Sequence, residues 1–161
     1  MATTTATITL ASSDIADNSI SVSNTATLTK AGSTTGLVKT SGLRRRTFTA
    51  VTIKDLIDLD HFEESDAITD NGANKVYIKN IGTLTDQYVR VGIGDITDAA
   101  AGFADDNDND VEEFGRLYGG DWMFIPYSAA YTSAGHVNNQ DIFVAPSSTD
   151  SVTLEWMVIY E

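Results

Sequence analysis

Apolar and polar residues alternate with a period of two along much of this chain, and the longest such run comes last. From Ser151 to Glu161, Val152, Leu154, Trp156, Val158 and Tyr160 fall on one side, with Thr153, Glu155, Met157, Ile159 and Glu161 on the other. A period of two is the mark of a strand with one face against a core. Val76 and Ile78 alternate with Lys75, Tyr77 and Lys79, and Val89, Val91 and Ile93 with Tyr88, Arg90 and Gly92. These two runs predict a hairpin closed by a long loop at residues 80–87. Further strands are expected at Ser19–Lys30, Arg44–Ile53, Asp121–Tyr127 and Asp141–Ala145, with a weaker one at Thr5–Leu10. Only Lys54–Glu64 carries helical spacing, through Leu56, Ile57, Leu59 and Phe62, and it allows one short helix of a turn or two.

Turn chemistry separates these runs: Ala31–Gly36, Thr69–Gly72, Gly94–Asp95 and Ala104–Asp110 are rich in Gly, Asn, Asp and Ser, which accept positive φ or close Asx turns. Seven or eight short strands between such turns predict an all-β chain, a single jelly-roll-like β-sandwich over residues 14–161. Residues 1–13 have strand propensity but little apolar mass. They are expected to form an extended N-terminal arm that can pair with the sheet edge of another chain.

Two late strands depart from simple alternation. In Asp121–Tyr127, Met123, Ile125 and Tyr127 lie on one side and Trp122, Phe124 and Pro126 on the other, so both faces are apolar. Asp141–Ala145 repeats this, with Ile142 and Val144 opposite Phe143 and Ala145. A two-layer sandwich buries only one face of each sheet, so the second face needs cover from a loop or from a neighbouring subunit. The strand pattern leaves both open.

Composition sharpens the class. Thr occurs 21 times and Asp outnumbers Glu 17 to 6, which favours pleated surfaces and turns over helices. Ten basic against 23 acidic residues leave a net charge of −13, which opposes general binding to nucleic acid or to anionic membranes. No apolar run approaches the roughly 20 residues that span a bilayer, and Met1–Ser13 lacks the basic start and apolar stretch of a signal peptide, so a soluble chain is expected. Without cysteine there is no disulfide, thiol nucleophile or thiolate metal site.

Little in the chain points to catalysis. His61 and His136 stand in none of the spacings that hold a metal or activate a nucleophile, and Gly92-Ile93-Gly94 is a lone pair of glycines on a strand. The expectation is no enzyme, no cofactor and no resident metal. One weak calcium candidate exists: Asp106, Asp108 and Asp110 alternate within Asp105–Asp110, as oxygen ligands for a hard cation do. The loop then fails the pattern, with Val111 where glycine is wanted and Leu117 where a bidentate glutamate is wanted. A solvated acidic loop is the plainer reading.

The basic residues cluster. Arg44, Arg45 and Arg46 are consecutive, a candidate docking patch for an acidic protein surface. Lys75, Lys79 and Arg90 are expected to share the outer face of the predicted hairpin with Tyr77 and Tyr88, more as a solvated, edge-protecting face than as a nucleic-acid groove. Trp122, Tyr127, Tyr131 and Trp156, with Asp121, Asn138 and Asn139, offer a sugar-stacking alternative, although Trp156 lies on the wholly apolar side of its strand.

The succession Lys75-Val76-Tyr77-Ile78-Lys79-Asn80, Tyr88-Val89-Arg90-Val91-Gly92-Ile93-Gly94, Leu117–Pro126, Asp141–Ala145 and Leu154–Glu161 resembles small virion structural proteins of tailed bacteriophages, particularly marine and cyanobacterial ones. The resemblance spans about residues 44–161. It implies a capsid decoration (cement) protein, often trimeric, that binds the outer head surface and bridges capsomers, with the major capsid protein and copies of itself as partners and the virion, assembled in the host cytoplasm, as its location. It also implies an alternative, a tail, fibre or baseplate component that binds host carbohydrate. Trp122, Phe124 and Phe143 are the expected contact residues, with Arg44, Arg45 and Arg46 as the docking patch.

Overall fold

The computed structural model describes residues 3–13, 19–30, 33–58, 74–94, 112–127, 130–133, 136–139, 141–149 and 151–161, the side chains of 130–133 and 136–139 excepted. The chain is all-β. Its strands are β1 (Thr5–Ser12), β2 (Ile20–Thr27), β3 (Lys39–Thr40), β4 (Arg44–Phe48), β5 (Lys54–Ile57), β6 (Asn74–Asn80), β7 (Tyr88–Gly94), β8 (Glu112–Tyr118), β9 (Trp122–Tyr127), β10 (Ala130–Ser133), β11 (His136–Asn139), β12 (Asp141–Pro146) and β13 (Val152–Tyr160).

Nine of these build a sandwich. One sheet runs β4-β13-β6-β9, with β3 continuing the line of β4 along the same edge of β13, and the other runs β5-β12-β7-β8. All the pairings are antiparallel. The pairs β7·β8, β6·β9, β5·β12 and β4·β13 nest inside one another in sequence, as in one long hairpin whose successive strand pairs fall alternately into the two sheets. The hairpins β1–β2 and β10–β11 form separate two-stranded sheets.

One core joins the two sheets. Val76, Ile78, Leu154, Trp156 and Val158 from the first meet Val89, Val91, Ile142, Val144 and Leu117 from the second. The alternation in β13 is therefore the inward set of a central strand, and its partners agree in phase: Trp156 stands beside Ile78, and Ile78 beside Met123. At one end Asn80 clasps the layers. Its Nδ2 donates to the Leu117 carbonyl in the facing sheet at 3.0 Å and its Oδ1 accepts from the Gly82 amide at 2.9 Å, so a buried polar side chain is satisfied on both sides. The Asn80 carbonyl accepts from the Gly120 amide in the turn that carries the chain from β8 back to β9. That turn needs Gly120 at φ 92, and a Cβ on Gly119 would sit 2.6 Å from the Leu84 carbonyl oxygen.

Three expectations change. The runs expected to form a hairpin through residues 80–87 lie in different sheets, because β6 pairs with β9 and β13 while β7 pairs with β8 and β12. The helix expected at Lys54–Glu64 is, over its described part, strand β5. Opposite it the register slips between Ile142 and Phe143, Ile57 and Asp55 being their partners, so Leu56 is an extra residue and both Leu56 and Ile57 are buried. A bulge thus imitates a helical stripe; Leu59 and Phe62 lie outside the described residues. Strand β8, not anticipated, carries a second bulge at Phe114, and only Leu117 of its side chains is buried while Phe114 is exposed, so no apolar alternation marks it.

Cover for the apolar second faces comes in part from the chain itself. Phe143 and Ala145 pack with Ile53, and Phe124, Met157 and Ile159 pack with Leu28, Leu37 and Ala6 from the N-terminal region. The segment expected as a free arm is one strand of the β1–β2 hairpin, paired from Thr5 with Thr27 to Ser12 with Ile20.

Removing the Asn80 clasp tests whether it ties the layers. Asn80→Ala leaves the Leu117 carbonyl and the Gly82 amide without their partner, and urea unfolding is expected to show a loss of about 1–3 kcal/mol.

Candidate functional site

Period two divides the consecutive arginines between two environments. Arg45 faces outward opposite Glu155 in the register, and its guanidinium grips that carboxylate from Nη2 at 2.6 Å and Nε at 2.8 Å. Arg44 and Arg46 stand opposite Trp156 and Leu154, on the inward side of the sheet's edge. Arg46 donates to the Asp55 main-chain carbonyl at 3.2 Å and lies 5.0 Å over the Phe48 ring; Arg44 donates to the Ser41 carbonyl at 3.3 Å. The triple arginine is therefore not one flat patch. Two of its members line a cavity of about 220 Å³ between β4 and β5, with Trp156 in its wall.

The expected basic-aromatic face is likewise divided. Lys75, Tyr77 and Lys79 lie on the outside of the first sheet, and Tyr88 and Arg90 on the outside of the second, because β6 and β7 are not neighbours. No shared groove for a nucleic acid results from these five residues. Around Tyr88 the second sheet carries its own cluster. The Tyr88 and Tyr118 ring centres are 5.2 Å apart, Arg116 lies 4.9 Å over Tyr88, and the Glu113 carboxylate accepts from Arg90 at 2.7 Å and from Arg116 at 3.1 Å. Burial alone raises the pKa of Glu113, but the two guanidinium hydrogen bonds and their charges outweigh it and hold the carboxyl below its ordinary value.

On the outer face of the first sheet, Arg45, Glu155, Lys79 and Trp122 form one row across four strands. Tyr77 adds a hydrogen bond to Glu155, and burial, followed by the charge and hydrogen bond of Glu155, raises the Tyr77 phenol above its ordinary pKa. Trp122 is 51 % exposed, whereas Phe124, beside it on the same face, is half-buried under the N-terminal region. Phe143 is only 3 % exposed. Of the candidate sugar platform, Tyr127 and Trp156 belong to the core, and Asp121 holds the β8–β9 turn by accepting from the Tyr118 amide at 3.0 Å. Tyr131, Asn138 and Asn139 lie on β10 and β11, where only the backbone is described.

Asp106, Asp108, Asp110 and His61 lie outside the described residues, and His136 opens β11. Among the described residues no group of three or more His, Cys, Asp or Glu side chains converges, and Glu113, next to the acidic run, is engaged by its two arginines.

Sequence reasoning missed the face most in need of a partner. The β1–β2 ribbon has a hydroxyl-rich side, where Thr7 and Thr25 hydrogen-bond at 2.8 Å, and an apolar side bearing Ile8, Leu10, Ile20 and Val22. Only the root of that apolar side, at Ala6, packs on the body. Ile8, Leu10, Ile20 and Val22 are 43 %, 61 %, 38 % and 53 % exposed. The signal was present in the sequence: neither strand contains a charged residue.

No family model, no curated protein and no solved structure matches this chain.

The Glu113 cluster makes stability depend on pH. A carboxyl whose folded pKa is depressed stabilises the fold above its unfolded pKa, and that contribution is lost as pH falls through the folded value. Urea midpoints of the native chain and Glu113→Gln are expected to differ most above about pH 5 and to converge below the ordinary carboxylate range near pH 4. A pH-independent difference overturns the assignment.

Proposed function

We propose that this chain is a non-enzymatic structural protein of a tailed-bacteriophage virion, a decoration or cement protein that binds the outer head surface and bridges capsomers. The observation that carries the reading is the β1–β2 ribbon: an uncharged, two-stranded element with an uncovered apolar face on a chain of net charge −13. A lone two-stranded ribbon is marginal in water. Burying its apolar side against a neighbour stabilises both ribbon and contact, at about 25 cal/mol per Å² before the costs of association. Between copies that repel one another through their acidic surfaces, an uncharged ribbon is also where approach meets least repulsion.

Two further features support the reading. The nested strand pairs and the orders β4-β13-β6-β9 and β5-β12-β7-β8 support a jelly-roll reading of the sandwich, an architecture used in viral shells. The order of motifs from Lys75 to Glu161 resembles phage virion proteins. In this reading the sandwich is a rigid block, the ribbons join sister subunits, most simply as a trimer, and the major capsid protein lies beneath.

A second reading rests on Trp122. An indole half open to solvent on the outer face of a sheet, with Lys79 beside it, suits stacking against a sugar ring, as in a tail or fibre component that binds host carbohydrate.

Electron microscopy of the assembled particle separates the two: density for this chain at capsomer boundaries is expected, and density confined to the tail overturns the decoration reading. In solution, sedimentation velocity is expected to show an oligomer that dissociates in the double variant Leu10→Asp, Val22→Asp, while thermal unfolding of the sandwich stays within about 1 kcal/mol of the native chain because neither side chain belongs to the core. A native chain that stays monomeric at high concentration, or a double variant that still assembles, removes the ribbon from the proposal. Glycan-array binding lost in Trp122→Ala favours the second reading.

A further inference from the structure

The hydrogen-bonding phase of the β1–β2 ribbon decides which of its backbone groups point away from it. The Leu28 amide donates to the Thr4 carbonyl at 2.9 Å, and this pair continues the register that matches Thr5 with Thr27. Bonded and non-bonded pairs alternate in an antiparallel ladder, so the even-numbered residues of β1 and β2 bond to one another while the odd-numbered ones turn N–H and C=O outward. The hydroxyl contact of Thr7 with Thr25 at 2.8 Å agrees, since side chains approach more closely at a non-bonded pair. Among the described residues β1 and β2 pair only with each other, so the ribbon has two open edges, each about 27 Å long. Natural chains guard such edges with charge, proline or a bulge. None is present here: neither strand contains a charged residue or a proline, and the register runs from Thr5 to Ser12 without a shift.

We propose that sister copies add to these edges, β1 of one copy pairing with β2 of the next, so that the ribbons close into an antiparallel barrel with Ile8, Leu10, Ile20 and Val22 inside. This geometry rests on the ribbon contact between sister subunits proposed above. Copies related by an axis along the strands all hold β1 and β2 in the same two opposed directions, so β2 of one copy meets β1 of the next antiparallel. The period of two then puts the Thr and Ser hydroxyls outside and the apolar side within. Asn24, opposite Ile8 on the inward side, meets its own copies around the axis, and carboxamides both donate and accept. Area and charge favour copies over another occupant. One face of a ribbon about 27 Å by 10 Å covers about 270 Å², well below the roughly 800 Å² per partner of a specific interface, so a single flat contact is insufficient. A foreign strand covers one edge and leaves the other bare, whereas a ring of copies leaves none. On a chain of net charge −13 the uncharged ribbon is also where copies meet with least repulsion.

The test is amide hydrogen exchange of the full chain, read at single residues by mass spectrometry, in the oligomer and after dilution to the monomer. The Thr7, Thr9, Ser23 and Thr25 amides are expected to exchange at least about tenfold more slowly in the oligomer. A contact through the apolar side alone slows only the amides bonded within the ribbon, those of Ile8, Leu10, Val22 and Asn24, and leaves the odd-numbered ones fast. That result overturns the barrel and leaves the ribbon contact standing. In sedimentation velocity Ser23→Pro, which removes an outward amide and no hydrogen bond of the ribbon itself, is expected to run as a monomer, and Ser23→Ala as the native oligomer. Because exchange is compared on the native chain, the outcome stands even where proline disturbs the ribbon. A Ser23→Pro chain that assembles as the native one does, or odd-numbered amides that slow only when empty phage heads are added, overturns sister copies as the occupant. A native chain that is monomeric at every concentration overturns the barrel and the ribbon contact together.

Discussion

Strand β13 is the element on which the rest of the structure depends. It is paired along both edges, by β3 and β4 on one side and β6 on the other, and it sends Val152, Leu154, Trp156, Val158 and Tyr160 into the core shared by the two sheets. Its partners come from residues 39–48 and 74–80, far away in sequence, so the C-terminal strand closes a sheet begun more than a hundred residues earlier. Pairings of such separation are entropically costly to form, and they hold because a continuous apolar layer is buried when they do. The Asn80 clasp and the β8–β9 turn then fix one end of the two layers.

What remains outside this core determines what the molecule can bind. The apolar second faces of β9 and β12 are partly roofed by Leu28, Leu37 and Ile53, so the contact that their patterns demand is in good measure made within the chain. Trp122 escapes that roof, and so does the apolar side of the β1–β2 ribbon. These two surfaces differ in kind. The ribbon is uncharged and apolar, suited to another protein surface, whereas Trp122 is a single indole in a row with Lys79, Glu155 and Arg45.

Much of the fold was legible because strand formation and core phase are local properties. Alternation marked β6, β7 and β13, and short apolar runs marked β9 and β12, within a residue or two of their observed ends, and the inward set of β13 is the set read from its sequence. A bulge placed Leu56 beside Ile57 in the core and so resembled a helix, and β8 was concealed because it buries Leu117 alone and leaves Phe114 exposed. The candidate site was less legible. Arg44, Arg45 and Arg46 read as one patch, yet in any strand the middle one faces away from its neighbours, and only the pairing with Trp156, Glu155 and Leu154 showed which way each points.

The amino-acid sequence by itself determined the all-β class and which residues of a regular strand share a face, because a period of two is a property of the extended backbone and needs no partner. Tertiary structure alone decided which sheet each strand joins, which second faces receive cover and which edges stay open. Those outcomes arise from competition among segments far apart in the chain, won by the arrangement that buries the most apolar surface while giving buried polar groups such as Asn80 their partners. So β6 and β7, adjacent in sequence and alike in pattern, ended on opposite layers, and Tyr77 and Tyr88 with them.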